Sequence, residues 1–133
     1  MKKKSDKPKV AIVMTAFNVS TVLPKTIEEL PQGCSDEIFL IDDCSEDNTA
    51  EVAKELGLTV LSHETNRGYG GGQKTGYLEC IRQDFDAVVL VHGDNQYDPS
   101  QAPLFISKII DENYDVVTGT RMIMGDVLSN GMP

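Results

Sequence analysis

Two stretches of this sequence carry residue types and spacings that could do chemistry. In HGDNQYDP, His92, Asp94 and Gln96 set an imidazole nitrogen and two side-chain oxygens at alternate positions. Oxygen donors of this kind suit Mg²⁺ or Mn²⁺ held jointly with substrate phosphates, and a histidine nitrogen favours the softer Mn²⁺. The same letters also describe an Asx-rich turn closed by Asp98 and Pro99, with the proline at the start of a helix. Spacing alone leaves both readings open. In IDDCSEDNT, Asp42 and Asp43 alternate along a strand end, so their side chains point to different faces and one should enter a crevice there. A carboxylate in that place accepts hydrogen bonds from a base N–H or from ribose hydroxyls. Either aspartate could instead cap the helix that SEDNT invites.

A third stretch, NRGYGGGQKTG at residues 66–76, comes close to a phosphate-binding loop. Gly68, Lys74 and Thr75 meet that pattern, but Gln73 stands where its second glycine belongs. A kinase or triphosphatase built around Lys74 and Thr75 is therefore one alternative. The dinucleotide fingerprint fails at the same residue, since Gly68 and Gly70 are followed by Gln73. A glycine run that only permits close packing or loop mobility is the other alternative. Cys34, Cys44 and Cys80 form no CxxC pair, which argues against a disulfide framework or a structural zinc and fits a reducing, cytoplasmic setting. Cys44 sits beside two aspartates, whose charge disfavours a nucleophilic thiolate.

The elements that must position these residues alternate. Runs rich in Val, Ile and Leu fall at residues 10–15, 37–42, 58–63, 87–92 and 114–119, and their nearly continuous apolar character predicts strands buried on both faces. Helices are predicted between them at about residues 20–30, 49–56, 71–82 and 100–112. Ser20 is expected to cap the first, Asp47 or Asn48 the second, and Gly57 to stop the second. The pattern is βαβαβαβαβ, an α/β fold with a mostly parallel sheet and helices on both faces. In such sheets ligands sit beyond the carboxyl ends of the strands, and those ends are where the polar, acidic and glycine-rich stretches lie.

The 133 residues suit one domain, with residues 1–9 read as a basic, disordered tail. A formal net charge of −9 opposes binding to nucleic acid phosphates. No apolar run approaches the ~20 residues that a membrane span requires, and the short one after the lysines is not a secretory signal.

Taken in order, TAFN, IDDCSEDNT, NRGYGGGQKTG, GDNQYDP and GTR resemble the inverting family 2 glycosyltransferases of GT-A, Rossmann-like fold. The branch they are most similar to is that of dolichyl- or polyprenyl-phosphate sugar synthases. The resemblance runs from about Val10 to the end of the chain. It implies a hexosyltransferase-type enzyme, a UDP- or GDP-sugar donor, Mn²⁺ or Mg²⁺, and a lipid-phosphate acceptor met at a membrane surface or through an anchor beyond Pro133. It places Thr15, Phe17 and Asn18 in the base and ribose pocket and Asp43 against the base or ribose. It gives the metal and the donor diphosphate to His92, Asp94 and Gln96, makes Asp94 the catalytic residue among them, and sets Arg121 and Lys74 near the phosphates.

The sequence departs from that family at several places. Thr15 stands for proline, Val19 for glutamate, Cys44 for a common glycine, and His92 for the first aspartate of the metal motif. The histidine lowers the negative charge offered to a metal. The resemblance also implies a general base downstream of this segment, and residues 10–133 are expected to be the donor-binding part of a longer domain. A non-enzymatic acidic module that binds only metal or nucleotide stays as an alternative.

Overall fold

In the computed structural model, which describes residues 7–119, the strands β1 (Val10–Ala16), β2 (Glu37–Asp42), β3 (Thr59–Ser62) and β4 (Ala87–His92) form one parallel sheet ordered β3-β2-β1-β4. The central strand VAIVMTA is apolar at almost every position because both of its faces are covered. Ile12 and Met14 point into a core shared with Leu40 and Val91, and Ala11 and Val13 point into another with Phe39 and Ile41. Helices α1 (Leu23–Glu29), α2 (Thr49–Glu55) and α4 (Ala102–Ile110) supply Leu23, Ala53 and Ala102 to the first core. Helix α3 (Gly68–Arg82) supplies Cys80 to the second. Fully burying an Ile or Phe side chain of this kind contributes about 1.5–3 kcal/mol.

Helix α3 lies close on β1 because it is rich in glycine on one side. A Cβ on Gly72 would meet Thr15 Cγ2 at 3.1 Å, and one on Gly76 would meet Val13 Cγ1 at 2.3 Å. These two glycines are one helical turn apart and face the same way.

The ends of α2 follow its sequence. Asn48 occupies the N-cap without a side-chain bond, and Asp47, one residue earlier, accepts the Thr49 backbone N–H on Oδ1 at 2.9 Å. At the other end Gly57 takes a φ of 83°, its N–H donates to Lys54 O, and that of Leu58 donates to Ala53 O. The expectation for α1 does not hold. Val22 occupies the N-cap, a proline opens the helix, and Ser20 instead donates its backbone N–H to Asp47 Oδ2 at 3.1 Å.

Two further expectations are corrected. The fifth run, residues 114–119, forms no strand, with Val116 77% exposed. A strand needs a paired edge and a face to bury, and this segment has neither among the described residues. It turns back along α4, where the Tyr114 N–H donates to Lys108 O and Gly119 packs on Phe105. Lys9, assigned to the tail, is instead fixed at the start of β1. Its N–H donates to Asp86 Oδ2 at 2.7 Å, and its ammonium donates to Gln83 O and lies 4.0 Å over the Phe85 ring. Lys7 lies beside Asp36, 3.9 Å from its carboxylate, and residues 1–6 of the predicted tail lie outside the described residues.

Candidate functional site

The carboxyl ends of β1, β2 and β4 open on a single cleft of about 260 Å³. Thr15 and Phe17 line it from the end of β1, Asp43 from the end of β2, and His92 and Asp94 from the end of β4. A cavity of similar size, about 250 Å³, lies at the opposite ends of the strands between Cys34, Val10 and Ile106. Its Asp36 carboxylate is already spent on the Val10 N–H at 2.8 Å.

The sheet register carries past the strands and fixes the loops that leave them. The Asp43 N–H donates to Ala16 O at 2.9 Å, that of His63 to Asp42 O at 2.8 Å, and that of Gly93 to Thr15 O at 3.1 Å. The Gly93 carbonyl then accepts the Thr26 hydroxyl at 3.2 Å. His92 and Asp94 therefore leave a glycine held on both sides.

Asp43 is both a wall of the cleft and a cap, although for α3 rather than α2. Its Oδ1 accepts the Arg67 N–H at 2.7 Å and meets His63 Nδ1 at 2.8 Å, and its Oδ2 accepts the Gly68 N–H at 2.9 Å. Burial works against the charge, but the Arg67 amide, His63 and the Gly68 amide outweigh it and hold the carboxyl below its usual value. Oδ2 keeps room for another donor. Asp42 turns the other way, is buried, and closes the following turn by accepting the Ser45 N–H at 3.1 Å.

On the far side of His63, Nε2 meets Thr75 Oγ1 at 2.7 Å, and that hydroxyl donates to Gly71 O at 3.0 Å. Asp43, His63 and Thr75 thus share the connectivity of an acid–base–nucleophile triad. Thr75 is no nucleophile here, because it sits inside α3 and does not line the cleft.

At the end of β4, His92 is half-buried between two tyrosines. Its ring stacks on Tyr69 with centroids 4.9 Å apart and tilts against Tyr97 at 4.6 Å, while Nε2 meets the Tyr69 hydroxyl at 2.6 Å. Burial pushes its pKa down against the opposing pull of Asp94, so the ring is neutral at neutral pH. Asp94 is exposed, with Oδ1 accepting the Gln96 N–H at 3.1 Å. Between them Asn95 takes a φ of 60° and leaves its buried Oδ1 without a hydrogen-bond partner among the described residues.

Among the described residues no three His, Cys, Asp or Glu side chains stand together as a metal cage. A divalent ion shared between one carboxylate and the oxygens of a diphosphate does fit the exposed Asp94. His92 would have to release Tyr69 or use its other nitrogen to join it.

The remaining expected residues fall elsewhere. Asn18, at a φ of 52°, accepts the Glu46 N–H on Oδ1 at 2.8 Å and donates its own N–H to Ser45 Oγ at 3.0 Å, so it pins the β2–α2 loop and does not line the cleft. Gln96 closes the Asp94 turn with its backbone and is also outside the lining. Lys74 is exposed and outside it too. With Gly72 turned to β1, a residue two positions on is rotated about 200° away. Arg121 lies outside the described residues.

The phosphate-loop reading fails on geometry. Gly70, Gly71 and Gly72 belong to α3 itself, so they form no wrapping loop, and Thr75 is held by His63. Close packing accounts for Gly72 and Gly76, whereas Gly68 and Gly70 have open space beside them. The sequence reading passed over Asn66 and Tyr69, which line the cleft, and His63 behind it. The visible signal was a histidine and an asparagine bracketing the end of the third apolar run, the position at which the first two runs carried their chemistry.

The model of the family described as glycosyl transferase family 2 matches residues 11–132. The chain is 25% identical over 130 residues to a UDP-N-acetylglucosamine–dolichyl-phosphate N-acetylglucosaminyltransferase of Methanococcus voltae, covering 85% of this chain and 52% of that one. It is 32% identical over 123 residues to an undecaprenyl-phosphate 4-deoxy-4-formamido-L-arabinose transferase of Serratia proteamaculans, covering 85% and 37%. The chain thus spans about half, or less, of the length of these relatives. Among solved structures it is similar to glucosyl-3-phosphoglycerate synthase of Mycobacterium tuberculosis, crystallised with Mn²⁺, UDP and glucosyl-3-phosphoglycerate, at a TM-score of 0.64 and 21% identity over 77% of this chain and 40% of that one.

Proposed function

The chain belongs to glycosyl transferase family 2, and from that premise we propose that it forms the donor-binding part of an enzyme that transfers a sugar from a nucleoside-diphosphate sugar to a polyprenyl phosphate. The observation that carries this reading is the convergence of Thr15, Phe17, Asp43, His92 and Asp94 on one cleft at the carboxyl ends of the strands. The half-exposed ring of Phe17 offers a stacking face for a base. Asp43, held ionised and fixed in rotation, has an acceptor site left on Oδ2 for a base or ribose donor. Asp94 presents its carboxylate to a divalent ion shared with the diphosphate, as Mn²⁺ or Mg²⁺ binding requires. When bound, that ion neutralises charge growing on the departing nucleoside diphosphate. UDP- and GDP-sugars are both compatible donors for this reading.

The acceptor follows from the named activities of the relatives, both of which use a polyprenyl-type phosphate. No helix among the described residues is long and apolar enough to cross a membrane; the proposed acceptor is a lipid and is met at a membrane surface. Calorimetry of the 133-residue chain with UDP and GDP, each with and without Mn²⁺, tests the donor reading. Binding that needs Mn²⁺ and is lost in Asp94→Ala is expected. Equal binding with and without metal, untouched by Asp94→Ala, would sink it.

A further inference from the structure

We infer that His63 is a positioning residue of the donor cleft, resting on the function proposed above: it clamps the Asp43 carboxylate to the first two turns of α3 and so sets where both stand for a nucleoside diphosphate. The imidazole is almost wholly enclosed, its side chain 4% exposed, and it does not itself line the cleft. Both of its ring nitrogens are engaged. Nδ1 donates to Asp43 Oδ1 at 2.8 Å, because an ionised carboxylate only accepts, and Nε2 meets Thr75 Oγ1 at 2.7 Å. Its backbone is fixed as well, by the bond from its N–H to Asp42 O.

Everything that His63 holds does reach the cleft. Asp43 and Gly68 line it directly, and Thr75 belongs to the same helix as Gly68, Tyr69 and Gly72, which line it too. A helix cap needs only the two amides of Arg67 and Gly68, which Asp43 already satisfies. The added imidazole does something the cap alone does not. It ties the carboxylate to a point well inside α3, so the end of β2 and the glycine-rich face of α3 cannot shift independently. A rigid ring with nitrogens on opposite sides spans that gap, whereas an amide side chain carries its donor and acceptor on one carbon.

The test uses the 133-residue chain with His63→Ala and Thr75→Val, the latter keeping the side-chain shape while cutting the Nε2 contact. Binding of UDP and of GDP with Mn²⁺ is measured by calorimetry, and exchange of the Arg67 and Gly68 amides by NMR. For His63→Ala, about a tenfold loss of nucleotide affinity is expected, the scale on which residues that orient a binding group act, together with faster exchange of both amides. Added imidazole should restore affinity at concentrations that leave the thermal midpoint unchanged. Thr75→Val should give a smaller loss of the same kind. Wild-type affinity in folded His63→Ala overturns the inference, as does imidazole that raises the midpoint without restoring affinity. If His63→Ala does not fold, unchanged affinity and exchange in Thr75→Val overturn it instead. A wild-type chain that binds neither nucleotide sinks the donor reading, and unchanged amide exchange in the variants would then sink the clamp separately.

Discussion

Gly76 of α3 and Val13 of β1 stand so close that a Cβ on the glycine would lie 2.3 Å from Val13 Cγ1. Gly70, six residues earlier in the same helix, has nothing within 4 Å of a Cβ and no left-handed backbone. The two glycines should therefore respond to alanine in opposite ways. Gly76→Ala is expected to destabilise by about 1–3 kcal/mol through overpacking, and Gly70→Ala to stabilise by up to about 1 kcal/mol through helix propensity. Urea unfolding of both variants checks this, and a shift of the same sign in both would refute it.

Acid should weaken the fold through the strand-end aspartates. Burial disfavours the Asp47 charge, but hydrogen bonds from Thr49 and Ser20 outweigh it and lower its pKa from 3.8 to about 2. Asp43 is shifted in the same direction. A carboxyl depressed in the folded state stabilises it above the unfolded value and loses that contribution as pH falls through the folded one. For Asp47 the window runs from pH 3.8 down to about 2. Asp47→Ala should cost about 1 kcal/mol at pH 7, and the gap in thermal midpoint from wild type should close by the bottom of that window. A gap independent of pH would show that the charge is not the cause.

Cys44 occupies a left-handed backbone, φ 62°. That conformation costs a residue with a Cβ about 1–2 kcal/mol, and its one compensation here is a long contact of Sγ with Glu64 O at 3.5 Å. Cys44→Gly should raise stability by a net of at most about 1 kcal/mol, since glycine gains freedom in the unfolded chain. A lower urea midpoint with an unchanged slope would contradict this.

His92→Asp restores a second carboxylate beside Asp94 but removes the ring held between Tyr69 and Tyr97. Mn²⁺ should bind about tenfold more tightly in the presence of nucleotide, while the order of Tyr69 is lost. Calorimetric titration of Mn²⁺ into the nucleotide-saturated variant measures the first, and near-ultraviolet circular dichroism the second. Unchanged Mn²⁺ affinity would mean that position 92 lies out of reach of the ion.

The sheet was legible in the sequence because its signal is local. The runs at residues 37–42 and 87–92 became β2 and β4 without a change of boundary, since each is a nearly unbroken run of apolar letters bounded by polar ones. Residues 114–119 carry the same letters and form no strand, because strand formation depends on a partner that letters do not record. At the site, residues adjoining strand ends reached the cleft as expected for Thr15, Phe17, Asp43, His92 and Asp94. Asn18, Lys74 and Gln96, named alongside them, did not. Lys74 was decided by which face of α3 meets β1: Gly72 and Gly76 lie against Thr15 and Val13, which turns Lys74 away. The Asp43–His63–Thr75 chain joins three separate segments and had no linear pattern to betray it.

The strand order has a consequence for the order of assembly. In β1, Ala11 pairs with Glu37 on one side and with Val88 on the other, so the second pairing must close a loop of most of the described chain. Long-range parallel pairing of this sort is slow to form, because the entropy of closure is lost before any contact compensates. A nascent chain that has emerged only as far as α3 already holds every partner of His63, yet lacks His92 and Asp94. The contacts of Asp43, His63 and Thr75 can therefore form before β4 docks, and it is the docking of β4 that brings His92 and Asp94 to the cleft.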